Sequence, residues 1–216
     1  MCRRGLVADT YTMTRRTPWP LLALVALFAG APLAASGAPA DVHVDAYDEA
    51  SFDLFEPSAL TVPRGTTLVF EFSGSRSHTA TDGTGMGLYD SGVVAPGGPS
   101  FSYRYDAAGR YPFVCTLHAG MSGAVTLPIT VSPSSVATGD TVVVRWARMR
   151  AADGHVYDVR IRKPGGSWRA WRHGVVGKER TFEPARTGTF RFRARMRAQG
   201  GDAASGWSPP AAVTVG

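Results

Sequence analysis

Tyr111-Pro-Phe-Val-Cys115-Thr-Leu-His118-Ala-Gly-Met121 places a thiol, an imidazole and a thioether at intervals of three residues. Far upstream, Ser77-His78-Thr79 supplies a second imidazole. One Cys, two His and one Met are the donor types of a trigonal copper site with a weak axial sulfur. Thiolate and imidazole suit copper in both oxidation states, and a distant thioether tunes the potential. Cys115, His118 and Met121 on one tight loop can face a single centre, and His78 from another strand ties two sheets together through it. A site held that firmly changes little between Cu(I) and Cu(II), which favours outer-sphere electron transfer.

Each donor also has a plainer reading. A lone Cys115 is most often a buried strand thiol, His78 or His118 alone a loop residue, and Met121 alone a core residue. Their coincidence favours the metal. Zinc accepts the same donors, but a closed structural zinc site more often uses several Cys or His. The only other cysteine is Cys2. It falls in a segment read below as removed on export, so Cys115 has no internal disulfide partner and reads as a ligand, an intermolecular bridge or a reactive thiol. His43, His155 and His173 read as surface residues. No His-x-His pair exists to hold the further coppers of a multicopper oxidase. No catalytic residue is assigned, and the chain is not read as an enzyme.

The scaffold that must position these donors is β-structure. Across 216 residues, 25 Gly and 15 Pro accompany many Val, Thr, Phe and Tyr, a composition of strands and turns. Residues 1–40 read as a secretory signal with an upstream extension. Arg15-Arg16 precede the apolar run Leu21 to Leu33, and Ala38-Pro39-Ala40 offers a cleavage site. The run is short for a membrane span, and an exported protein, extracellular or periplasmic, is expected. Residues 41–132 read as one antiparallel sandwich. Leu60 to Phe72 alternates around a Pro63-Arg64-Gly65 turn, Asp82 to Ser100 is a Gly-rich loop, and strands follow at Ser100 to Tyr105 and Tyr111 to Cys115. Val125 to Val131 reads as the closing strand, with Pro128 hinting at an edge or a bulge.

Residues 41–132 resemble a cupredoxin of the plastocyanin and amicyanin group. The resemblance rests on Phe55-Glu-Pro-Ser-Ala-Leu-Thr-Val-Pro-Arg-Gly65, Ser77-His78-Thr79, Tyr89-Asp-Ser-Gly92 and the Tyr111–Met121 stretch. It implies a Greek-key fold and one mononuclear type 1 copper ligated by His78, Cys115, His118 and Met121. It also implies an electron port at His118, rimmed by Leu117, Ala119, Gly120 and Met121, with Met86 either on that rim or in the core. Thr79 departs from the Asn that commonly braces the ligand loops in these proteins. Asp106-Ala-Ala-Gly-Arg-Tyr111 resembles the family's tyrosine corner, which makes Tyr111 structural.

Residues 133–216 resemble, less specifically, a fibronectin type III domain, an immunoglobulin-like sandwich, through Trp146, Tyr157-Asp-Val-Arg-Ile-Arg162, Gly188-Thr-Phe-Arg-Phe-Arg-Ala-Arg195 and Ser205-Gly-Trp-Ser-Pro209. The expected fold class is therefore all-β, two antiparallel sandwiches in tandem. Residues 41–132 hold ten acids and four arginines, whereas residues 133–216 hold six acids and 15 bases. In the basic half Arg160 and Arg162 are expected beside Arg191, Arg193, Arg195 and Arg197, with Trp168, Trp171 and Trp207 stacked between them. That face suits an acidic protein or an anionic envelope polymer, a merely solvated surface, or the acidic half of the same chain. Nucleic acid is not expected of an exported chain. Three functions follow: a one-electron carrier with redox protein partners, a copper-delivery protein, or an envelope-binding module whose first half is structural.

Overall fold

The computed structural model describes residues 39–49 and 51–216. The expected signal segment lies almost wholly outside the described residues. Among the described residues there is no helix, and none therefore is long and apolar enough to cross a membrane.

The first half contains β1 (Val42–Glu49), β2 (Phe52–Glu56), β3 (Ala59–Thr61), β4 (Thr66–Phe72), β5 (Thr81–Asp82), β6 (Phe101–Tyr105), β7 (Gly109–Val114) and β8 (Ser122–Leu127). They form two four-stranded sheets, ordered β2-β1-β4-β6 and β3-β8-β7-β5. Alternation decides which side chains turn inward: in β4 the residues Leu68, Phe70 and Phe72 are buried, and in β7 Tyr111 and Phe113. Phe55, Phe70 and Phe113 meet edge to face across the sheets, with centroids 5.0–6.1 Å apart. The expectation of purely antiparallel sheets needs correction, because β1 pairs with β4, and β3 with β8, in parallel. The chain leaves the first sheet after β2 to form β3 in the second, then returns as β4 on the far side of β1, and such crossings align strands that a hairpin would oppose.

The second half contains β9 (Thr130–Ser132), β10 (Ser135–Val136), β11 (Val142–Arg145), β12 (His155–Arg162), β13 (Trp168–Val175), β14 (Glu179–Phe182), β15 (Gly188–Ala198) and β16 (Ala211–Val215). Its sheets are ordered β10-β16-β15-β12-β13 and β14-β11-β9; here β10 and β16 are parallel. A second core gathers Trp146, Val142, Val144, Val159, Ile161, Phe190 and Phe192. Phe190, which lacks a hydroxyl, is simply part of that core.

Val125 to Val131 does not continue as one strand. β8 ends at Leu127, and β9 pairs with β11 in the second half, Val131 opposite Val144. Pro128 has no amide to give a ladder, so the chain changes sheets there. The joint is further stitched by backbone bonds: Ala108 N donates to Trp146 O at 2.7 Å, Arg148 N to Asp106 O at 2.9 Å, and Arg110 and Gly206 exchange bonds of 3.0 and 2.8 Å. Arg64 spans it with bonds to Pro128 O (2.9 Å), Arg145 O (2.8 Å) and Thr130 Oγ1 (2.8 Å). Burial and the neighbouring Arg145 and Arg148 pull the Arg64 guanidinium down to about 10. Gly65 must be glycine: its φ is +92°, and a Cβ there would stand 2.5 Å from the Arg148 side chain. The attraction expected between an acidic and a basic half contributes one long ion pair, Arg148 to Asp106 at 4.0 Å, among the described residues. Backbone pairing joins the halves.

Candidate metal centre

β7 delivers Cys115, the residue after its last ladder position, into the narrow end of the first core. The loop beyond it is short and closed by its own backbone: Cys115 N donates to Met121 O at 3.1 Å and Met121 N to His118 O at 3.2 Å. β8 starts at Ser122, so Cys115, His118 and Met121 are fixed by two strand ends and one tight loop. His78 comes from the chain after β4 and is pinned by reciprocal backbone bonds with Val94 of 3.0 and 2.9 Å. Burial is graded. His78 is fully buried, Met121 and Cys115 nearly so, and the His118 side chain alone among these four residues reaches solvent, at 21 % exposure.

Three donor atoms converge. His78 Nδ1 lies 3.2 Å from His118 Nδ1, Cys115 Sγ lies 3.5 Å from His118 Nδ1, and Cys115 Sγ lies 3.9 Å from His78 Nδ1. A point equidistant from the corners of that triangle is about 2.1 Å from each, near the roughly 2.0–2.3 Å at which nitrogen and sulfur hold a first-row ion. Two imidazole nitrogens aimed at one another and at a thiol, with His78 and Cys115 buried, are otherwise a poor arrangement of lone pairs, so the residues fit a metal. Burial and the facing His118 hold the His78 imidazole below its ordinary range, which keeps it neutral and ready to ligate.

Thr79 takes on the bracing expected of an Asn. Its amide donates to Cys115 Sγ at 3.3 Å, and its Oγ1 accepts from Thr116 N at 2.8 Å. Thr81 Oγ1 donates to the same hydroxyl at 3.1 Å. Tyr111 has its hydroxyl on Ala107 O at 3.1 Å, a structural corner. Met86 is half-buried and packs against the first core. Outside the centre, His43 is an exposed partner of Glu71, while the His155 ring meets the nearby Asp153 carbonyl.

Sequence reasoning missed the acidic side of the centre. Asp48 Oδ1 stands 3.7 Å from His78 Nε2, and Asp53 Oδ1 stands 3.7 Å from His118 Nδ1. The Ser75 hydroxyl and the Arg76 and Ser75 amides hold the Asp48 carboxyl well below the usual carboxylate range. A signal existed: Asp53 is two residues before the buried Phe55 on one strand, so alternation turns it inward. Around His118 the chain exposes Leu117, Ala119 and Gly120. Among the described residues the exposed large hydrophobic ones are Phe52, Val93, Leu117 and Met149. Three of them adjoin groups of the centre in the chain: Leu117 beside His118, Val93 beside the Val94 that pins His78, and Phe52 beside Asp53.

No family model matches the chain. Chloroplast plastocyanin of Pisum sativum is 31% identical over 118 residues, covering 49% of this chain and 69% of that protein. Among solved structures, a purple cupredoxin from Nitrosopumilus maritimus is 23% identical, with a TM-score of 0.35 over 40% of this chain and 99% of its own. Plastocyanin from Dryopteris crassirhizoma is 25% identical, with the same TM-score and the same coverages. With the His78, Cys115, His118 and Met121 cluster fitted to one type 1 copper, and with a curated relative at this identity and coverage, the chain belongs, through its first half, to the plastocyanin family.

Proposed function

We propose that the chain is an exported one-electron carrier. The carrying observation is the convergence of the His78, Cys115 and His118 donor atoms on one point, with His118 alone of the four residues in contact with solvent. Copper held there supplies a one-electron Cu(II)/Cu(I) couple. The protein's part is to keep the donors in one geometry for both ions, exclude water from three of them, and present the fourth among the exposed Leu117, Ala119 and Gly120, where a redox protein partner can approach. Copper delivery is the second reading. It requires an incoming ligand to reach the donors, and the burial of His78, Cys115 and Met121 opposes that exchange.

The test is voltammetry of the copper-loaded full chain, followed by incubation of the Cu(I) form with a copper-free acceptor protein. A reversible one-electron wave, with copper retained over many turnovers, is expected. Irreversible reduction, or prompt transfer of the ion to the acceptor, would sink the carrier reading and support delivery.

The basic face supports a place for this carrier on an anionic partner. Arg160 stands opposite Arg193, and Arg162 opposite Arg191, in the β12–β15 register. Like charges directly opposed are unfavourable. Trp207 receives Arg160, Arg193 and Arg195 at 4.7, 5.0 and 4.8 Å, and Trp168 receives Arg193 and Arg162 at 4.4 and 5.3 Å. Trp171 is not part of this ladder. It packs inward on Trp146, Phe182 and Phe192, with Arg172 over its ring; its position on the inward face of β13 decides that.

Asp158 answers Arg195 and Arg197. Among the described residues no carboxylate lies within ion-pair distance of Arg160, Arg162, Arg191 or Arg193. An anionic envelope polymer or an acidic protein would supply the missing charge. The double variant R160E/R193E is expected to bind a polyanionic matrix at least about tenfold more weakly at low ionic strength, the wild-type retention itself falling with salt. Equal retention of both proteins would remove the docking face.

A further inference from the structure

The three-donor centre does not need the carboxylates beside it, although Asp48, Asp53 and His78 also stand close enough to share an ion and Asp48 accepts from the Ser75 and Arg76 amides. Asp48 and Asp53 stand directly opposite one another in the β1–β2 register, an arrangement that costs stability. Among the described residues, the buried Asp53 Oδ1 and His78 Nε2 have no hydrogen-bond partner. One cation serves the pair: Arg76 places Nη1 3.3 Å from Asp53 Oδ2 and Nε 3.9 Å from Asp48 Oδ2. Two carboxylates and one guanidinium leave one net negative charge against the two imidazoles. The setting is poorly screened, since the Asp48 and Asp53 side chains are 10 % and 11 % exposed and His78 is fully buried.

Resting on the copper reading above, we propose that Asp48 and Asp53 are tuning residues that bias the centre toward its divalent state, with Arg76 setting how far. Two neutral imidazoles and a thiolate around a divalent ion carry one positive charge; around a monovalent ion they carry none. A fixed negative charge nearby stabilises the first and leaves the second almost untouched, so it lowers the potential. Asp53 is the cleaner probe. Among the described residues its only ion-pair partner apart from His118 is Arg76, whereas Asp48 also anchors Ser75 and Arg76 amides. Neither carboxylate is needed as a donor: the triangle of His78, Cys115 and His118 is complete without them.

The experiment compares copper-loaded wild type with Asp53→Asn, Asp53→Glu and Arg76→Gln, reading the midpoint potential and the visible spectrum of the Cu(II) form. In Asp53→Asn the Cu(I):Cu(II) ratio at a fixed applied potential is expected to rise about tenfold or more. For one electron a tenfold rise is about 59 mV upward. Asp53→Glu should stay near wild type, and Arg76→Gln should move the potential downward. Opposite signs for the acid and the base are what a structural role in the hairpin would not produce. A visible band kept in every variant with potentials unmoved, or moved in one direction by both Asn and Gln, overturns this assignment and leaves the copper reading standing. A wild type that takes up copper without any such band overturns the copper reading and this assignment with it. Should Asp53→Asn fail to fold, Arg76→Gln alone decides: a downward shift supports the charge, and no shift refutes it.

Discussion

Cys115→Ser is expected to abolish the intense visible absorption expected of the Cu(II)-loaded wild-type chain, and to weaken copper binding more than about 100-fold. The lower bound follows from outer-shell losses alone, which cost about 10–100-fold at metal sites, and Cys115 is a direct donor. The substitution is chosen for its small volume change. Cys115 is 4 % exposed and sits at the end of β7, where Ser fills nearly the same space, so the fold is retained. What is lost is the soft, charged sulfur that suits both copper oxidation states and produces the charge-transfer band. Copper titration of both proteins, followed in the visible range and by competition with a chelator, checks the result. A serine variant that keeps the band would remove Cys115 from the ligand set and dismantle the proposed site.

Trp146→Ala is expected to lower the stability of the chain by about 3–5 kcal/mol, the usual cost of emptying a buried tryptophan site. Trp146 is 1 % exposed and meets Trp171 edge to face at 6.3 Å. Its Nε1 also donates to Gly177 O at 2.7 Å, so truncation leaves that carbonyl without its partner in addition to the cavity. Urea unfolding monitored by far-ultraviolet circular dichroism provides the measurement. With a slope of about 1–3 kcal/mol/M, the midpoint should fall by at least about 1 M. A midpoint within about 0.3 M of wild type would mean that the second core does not depend on this ring.

The cluster of His78, Cys115 and His118 was legible because these residue types are rare and part of their spacing is local. Cys115, His118 and Met121 need only one loop to come together, and His78 is set in a motif that names its neighbours. The acidic pair was not legible for the opposite reason. Asp48 and Asp53 meet the imidazoles only after the β1–β2 hairpin fixes its register and a distant Arg76 is drawn between them, a relation no local pattern encodes. Alternation correctly located the core residues of β4, yet it does not distinguish parallel from antiparallel neighbours, so the β1–β4 and β3–β8 pairings became visible only in the fold. Trp171 shows a related limit: a tryptophan on a strand edged with arginines fits an exposed ladder or a core, and the inward turn of β13 chose the core.

The change of sheet at Pro128 has a practical side. β9 and the Asp106–Arg110 turn have their backbone partners in the second half. A fragment cut near residue 132 to isolate the copper-binding half would therefore present unpaired amides and carbonyls along a fresh strand edge. Such edges template pairing with other chains, so the excised half is prone to self-association even though it keeps the buried residues of its core, losing only the Met196 that packs against them. In the intact chain the C-terminal module serves as a built-in protective cover for its neighbour.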